Sequence, residues 1–300
     1  MNSMKSKLLS LQIVLVVSLF SVLACSSSDS SEMSEMITLE NDLSDKVSQS
    51  SVSEFGDKVF TRIWSDPPTL DPHLTGDTTS SAIVVEIFGG LVSFDTSLNL
   101  IPDLAESWDI SEDAETYTFK IRKDAVFHDG KKVTADDFKW SFNRAVAPDT
   151  ASPIAETYLG DIVGVKDVLE GVSDEISGIT VLDEHTLQIK IDSPKSYFLQ
   201  KLTYPTAYVL DKNNIVSLGS SWTDSPNGTG PFKLIEYKIG EQIVLGKHDD
   251  YHLGAAKLDK IVMNLAGGSS MAMYENDEID ITGVSLFDLE RIMDPNDPLN

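Results

Sequence analysis

The chain has 300 residues, 41% of them hydrophobic, with 23 basic against 48 acidic side chains and a formal charge of −25 at pH 7. A polyanion of this size repels phosphate backbones, which excludes nucleic acid as a partner. The single cysteine, Cys25, excludes an internal disulfide framework and a cysteine-based zinc site, and the length suits one large or two modest domains.

Lys5 and Lys7 make the start of the chain positive, and Leu8 to Leu23 is apolar apart from Ser10, Gln12, Ser18 and Ser21. This run of about 16 residues falls short of the roughly 20 that a bilayer span needs, and it fits a secretory signal over residues 1–24. Val22-Leu23-Ala24-Cys25 resembles a bacterial lipobox, in which the cysteine receives lipid and becomes the new N-terminus. The expectation is an extracytoplasmic protein, in a periplasm or on a cell surface, lipid-anchored to the membrane through Cys25. Residues 25–56, with SSSDSSEMSEM and SDKVSQSSVSEFGD, are rich in serine and acids and poor in aromatics. Such a segment buries too little apolar surface to offset its ordering entropy and reads as a flexible tether.

KVFTRIW is apolar on both parities and reads as a buried strand, stopped by Ser65-Asp66-Pro67-Pro68. A loop, LDPHLTGDTTSS, leads to a helix expected over Ser80 to Phe88, with Ile83 and Val84 over Ile87 and Phe88, ended by Gly89-Gly90. TYTFKIR alternates as a strand, with Tyr117, Phe119 and Ile121 on one face. Asp129-Gly130 signals a tight turn with positive φ at both central positions. Thr134 reads as a helix N-cap, followed by a buried stripe of Phe138, Phe142 and Ala145/Val146. Asp136 and Asp137 then serve the start of that helix rather than acting as paired catalytic acids. Further on, Leu187, Ile189 and Ile191 alternate with Thr186, Gln188 and Lys190, and Pro226 to Pro231 makes a sharp loop into a strand pair that turns at Lys238 to Gly240. Met271 to Asn276 reads as helix and EIDITGV as one more short strand. Mixed strands and helices with long excursions indicate an α/β chain, mixed α+β, of non-sequential design.

Enzymatic motifs are missing or out of context. GTGPFK lacks the third glycine of a dinucleotide loop and the Gly-Lys-Ser/Thr ending of a phosphate loop, and His248 and His252 have the spacing of a zinc helix in what reads as a strand followed by a turn. No activated nucleophile stands out, so no enzyme activity, metal or cofactor is expected. Asn227-Gly228-Thr229 matches a glycosylation sequon and reads as turn chemistry.

PPTLDPHLT, GGLVSFD, the series LIPDLAESWDISEDAETYTFKIRKDAVFHDGKKVTADDFKWSF, PNGTGPFKL, DDYHLGAAKLDKI and NDEIDIT occur in an order that resembles the family 5 solute-binding proteins of ABC transporters, the oligopeptide and dipeptide binders. The resemblance covers roughly residues 58 to 285. It departs at Gly89, where the family usually has Glu, and at Asp277, where it usually has Gly. It implies a lobe of the type II periplasmic-binding-protein kind over residues 57–285, with an inserted subdomain at about 101–200. Residues 286–300 would begin the crossover to a second lobe, most of which lies outside this sequence, so the chain reads as a fragment. The implied mechanism is capture of a peptide by closure of two lobes, for delivery to ABC permease subunits, by a monomer. Ligand contacts are expected from two loops, Gly76-Asp77-Thr78-Thr79 and Thr282-Gly283-Val284, with Trp222 walling a pocket or packing in the core. Relatives of similar sequence that bind nickel chelates, haem or sugars remain open, as does a surface lipoprotein acting as a sensor co-receptor or adhesin.

Overall fold

A computed structural model describes residues 58–300. The signal segment 1–24, the lipobox Cys25 and the tether 25–56 lie outside the described residues. In chain order the elements are β1 (Val59–Ile63), α1 (Thr78–Ile87), β2 (Val92–Phe94), β3 (Leu100–Pro102), β4 (Ala105–Ile110), β5 (Thr116–Ile121), α2 (Ala135–Val146), α3 (Ala155–Leu159) and α4 (Val165–Leu169). They continue with β6 (Ile179–Asp183), β7 (Thr186–Lys190), α5 (Phe198–Lys201), α6 (Lys212–Leu218), β8 (Phe232–Lys238), β9 (Gln242–Lys247), β10 (Lys260–Asn264), α7 (Ser270–Glu275) and α8 (Leu286–Ile292). Among the described residues no helix is long and apolar enough to cross a membrane.

Two four-stranded sheets organise the chain, in the orders β1-β10-β9-β8 and β4-β5-β7-β6, with β2 and β3 forming a small pair. The first sheet is non-sequential: β1 pairs parallel to β10, with Val59 opposite Lys260, so a long excursion separates adjacent strands. The second sheet is wholly antiparallel. Its inward face follows from period-two alternation: Tyr117, Phe119 and Ile121 on β5 and Leu187 and Ile189 on β7 are buried. They pack with the α2 stripe of Phe138, Phe142, Ala145 and Val146 in one core. A second core joins α1, through Ile83, Val84 and Ile87, to Ile243, Leu245 and Met263 of the first sheet.

The local punctuation is chemical. Thr134 and Asp137 make a reciprocal capping box at α2, with Thr134 N–H donating to the Asp137 carboxylate at 2.9 Å. Asp137 also takes Lys131 Nζ at 2.8 Å, so this acid serves a cap and an ion pair.

Four local expectations change. β1 is half-buried rather than buried, with Val59 43% exposed, because it lies at the edge of its sheet. The helix α1 starts at Thr78, two residues early, because the Asp77 carboxylate caps it by accepting from Ser80 N–H at 2.8 Å. At the Asp129-Gly130 turn only Gly130 has positive φ, 89°, so the hairpin closes through one left-handed residue rather than two. EIDITGV is not a strand: it contributes a single parallel bridge, Ile281 to Arg62.

Candidate functional site

Parallel strands point their C-terminal ends the same way, and open sheets of this kind bind ligands beyond those ends. Here β1, β10 and the Ile281 bridge run parallel, and the chain leaves all three on one side. Both expected ligand loops are tied to that edge. After β1, Trp64 Nε1 donates to the Thr79 carbonyl at 3.1 Å, which attaches the start of α1. On the outer side of β1, Asp280 N–H donates to the Thr61 carbonyl at 2.8 Å, and Thr282 and Gly283 follow at once.

A cleft of about 420 Å³ opens there, lined by Arg62, Ile63, Ser270, Ile281, Thr282 and Gly283. A smaller one of about 230 Å³ adjoins it, with Val284 and Tyr274 in its wall. The Arg62 guanidinium lies 4.0 Å from the centre of the Trp64 ring, so Arg62, Trp64 and Thr79 form one continuous contact. Arg62 and Trp64 were not expected from the sequence. The available signal was that Phe60, Arg62 and Trp64 share one parity of β1, which an apolar reading of KVFTRIW hides.

Gly76 is exposed and Asp77 half-exposed. Neither the N–H nor the carbonyl of Gly76, nor the N–H of Asp77, meets a partner among the described residues. The Asp77 side chain is committed to the helix cap, and Thr78 and Thr79 belong to the first turn of α1 rather than to a loop. This stretch therefore offers backbone, together with the unpaired N–H groups that every helix start leaves.

A buried network holds the loop before Gly76 in place. Asp71 accepts from Arg144 of α2 at 2.6 Å, and its other oxygen takes His73 N–H at 2.9 Å. His73 Nδ1 faces Arg144 Nη1 at 2.9 Å and its Nε2 faces the Tyr208 carbonyl at 3.3 Å. Burial pushes His73 down to about 4, against the pull of Asp71, so the ring is neutral. Trp222 is not at the cleft. It is 6% exposed, packs edge-on against Phe88 and lies 5.4 Å below the Arg144 guanidinium, within the second core.

Elsewhere, a cavity of about 580 Å³ is lined by His128, Asp211, Asn227 and Lys233 among others, and its polar groups bond mainly to one another. His248 and His252 point to different partners, the Gly230 carbonyl at 3.0 Å and Asp103 at 2.8 Å, and both act as packing histidines.

The family model for bacterial extracellular solute-binding proteins, family 5 Middle, matches residues 99–298. The chain belongs to this family. The periplasmic oligopeptide-binding protein OppA of Escherichia coli is 36% identical over 230 residues, covering 74% of this chain and 42% of that protein. A periplasmic oligopeptide-binding protein of Borrelia burgdorferi, OppAIV, superposes with a TM-score of 0.71 at 36% identity, over 75% of this chain and 46% of its own. The murein tripeptide-binding protein MppA of Escherichia coli superposes with a TM-score of 0.75 at 27% identity, over 81% and 49%. This family 5 chain therefore has the type II periplasmic-binding-protein fold, and it spans less than half the length of these relatives.

Proposed function

We propose that this chain carries the first lobe of the substrate-binding component of an ABC importer that captures peptides. The observation carrying the reading is the free backbone at Gly76-Asp77, just before a helix whose first turn is tied through the Thr79 carbonyl to Trp64 at the C-terminal end of β1. An extended peptide satisfies such groups with its own N–H and C=O, which gives affinity with little dependence on side chains. Thr282, Gly283 and Val284 would form the opposite lip. In this reading the sheet β4-β5-β7-β6 is an inserted subdomain, and closure of a second lobe over the peptide creates the shape that permease subunits recognise. Cys25 would anchor the monomeric protein outside the cytoplasm by lipid. Relatives named as oligopeptide- and murein-tripeptide-binding proteins support peptide as the solute class.

The test is native mass spectrometry of the gently purified full chain, followed by calorimetric titration with tri-, tetra- and pentaalanine. Co-purifying mixed short peptides and binding of at least one oligoalanine are expected. A single sugar, haem or nickel chelate in the cleft, with no response to any peptide, would refute the reading.

A further inference from the structure

The chain has four arginines, Arg62, Arg122, Arg144 and Arg291. Three of them are occupied: Arg122 donates to the Asp103 carbonyl at 2.8 Å, Arg144 to Asp71 at 2.6 Å, and Arg291 pairs with Glu275 at 2.5 Å. Arg62 differs. Its Nε is shut away from solvent without a hydrogen-bond partner, and no carboxylate among the described residues lies within ion-pair distance of it. Asp280, which crosses β1 at the neighbouring residue, commits one oxygen to Thr61 N–H at 2.6 Å. Meanwhile the Arg62 guanidinium lies over the Trp64 ring, 4.0 Å from its centre, and Arg62 walls the 420 Å³ cleft with Thr282 and Gly283.

A guanidinium held over an indole has fewer orientations open to it, and its donor edge matches a carboxylate with two parallel hydrogen bonds. A half-buried cation with unfilled donors in a chain this rich in acids is a costly arrangement unless an anion arrives from outside. We propose that Arg62 is the carboxylate-binding residue of the cleft and sets its preference for ligands with a carboxylate at that point. For a peptide, this is either an acidic side chain or the terminal carboxylate. The assignment rests on the reading of this edge as a ligand site.

The experiment uses the full chain as wild type, Arg62→Gln and Arg62→Lys, with thermal melting to verify folding. Titrations compare Ala-Ala-Ala with its C-terminal amide, and Ala-Glu-Ala with Ala-Gln-Ala. Wild type should lose about tenfold in affinity when the relevant carboxylate becomes an amide, and Arg62→Gln should bind acid and amide alike. Whichever pair shows the difference identifies the source of the carboxylate. Discrimination that persists unchanged in Arg62→Gln overturns the proposal. A second readout does not need peptide binding: the four arginine Nε–H signals in a nitrogen-15 NMR spectrum, one of which Arg62→Gln removes and so assigns. Titration with succinate should move that signal and leave the other three in place. If it moves while no peptide binds, the peptide reading fails and the carboxylate site stands. If neutral peptide amides bind and the signal responds to neither succinate nor the acidic peptides, the carboxylate site fails alone.

Discussion

A side-chain carbon at residue 228 would overlap the Ile87 carbonyl, and one at residue 230 would overlap the Glu86 carbonyl. Gly228 and Gly230 thus let the loop before β8 lie directly on the last turn of α1, where Gly230 N–H closes on the Ile87 carbonyl at 2.8 Å. The requirement is close approach rather than unusual φ, since neither has a positive φ. Gly228→Ala should cost about 3 kcal/mol in urea unfolding, because backbone has to move on both sides. Gly130→Ala is the contrast: it has open space around it and a φ of 89°, so about 1 kcal/mol is expected from conformation alone. Equal costs at the two sites would contradict the packing argument. PNGTGPF was legible as a turn; which helix end it covers was not, because the contact joins residues more than a hundred positions apart.

The start of α1 shows what an element can reveal about its site. Thr78 occupies the first helical position, after an extended Asp77 with φ −127° and ψ 160°. Proline is tolerated at such a position, and its predecessor already has the backbone that proline demands. Thr78→Pro should therefore leave the melting temperature unchanged while deleting one N–H from the proposed peptide-pairing edge. Peptide affinity should fall about tenfold if that N–H bonds the ligand, and unaltered affinity would remove Thr78 backbone from the site. Apolar periodicity over Ile83, Val84 and Ile87 was enough to announce this helix. It missed the first turn because Thr78 and Thr79 are polar and the start is set by the Asp77 carboxylate.

Across the whole molecule, two histidines connect the cores. His73 joins Arg144 of α2 to the Tyr208 carbonyl, while His128 accepts Gly228 N–H on Nδ1 at 3.2 Å and meets the Gly230 carbonyl through Nε2 at 3.2 Å. Arginine and backbone N–H can only donate, so both Nδ1 atoms lack a proton and both rings are neutral. Burial lowers His73 to about 4; burial and then the neighbouring His248 lower His128 to about 3, against 6.5 for a free imidazole. Their contribution is complete above pH 6.5 and is lost as pH falls, since the unfolded chain takes up protons that the folded chain refuses until it reaches those lower values. Between about pH 7 and about pH 5.5 the unfolding free energy should drop by about 2 kcal/mol, and His128→Gln should flatten roughly half of that slope. A stability that stays level over this range, followed by urea unfolding, would refute neutral histidines at the junction.

Short-range grammar was readable in the chain itself: the alternation of β5 and β7, the helix N-cap at Thr134, the turn at Gly240, and the ordered motif series that identifies family 5. Each of these depends on neighbours within a few residues or on local signals that keep their order. The site was legible only as two loops, because pairing across the fold is not written in spacing. Tertiary structure alone tied both loops to the C-terminal end of β1. It also put Trp222 in the core and left Arg62 over the Trp64 ring with its donors unfilled. The physical reason is that the contacts deciding these placements join segments far apart in the chain, as Thr61 and Asp280 do across 219 positions.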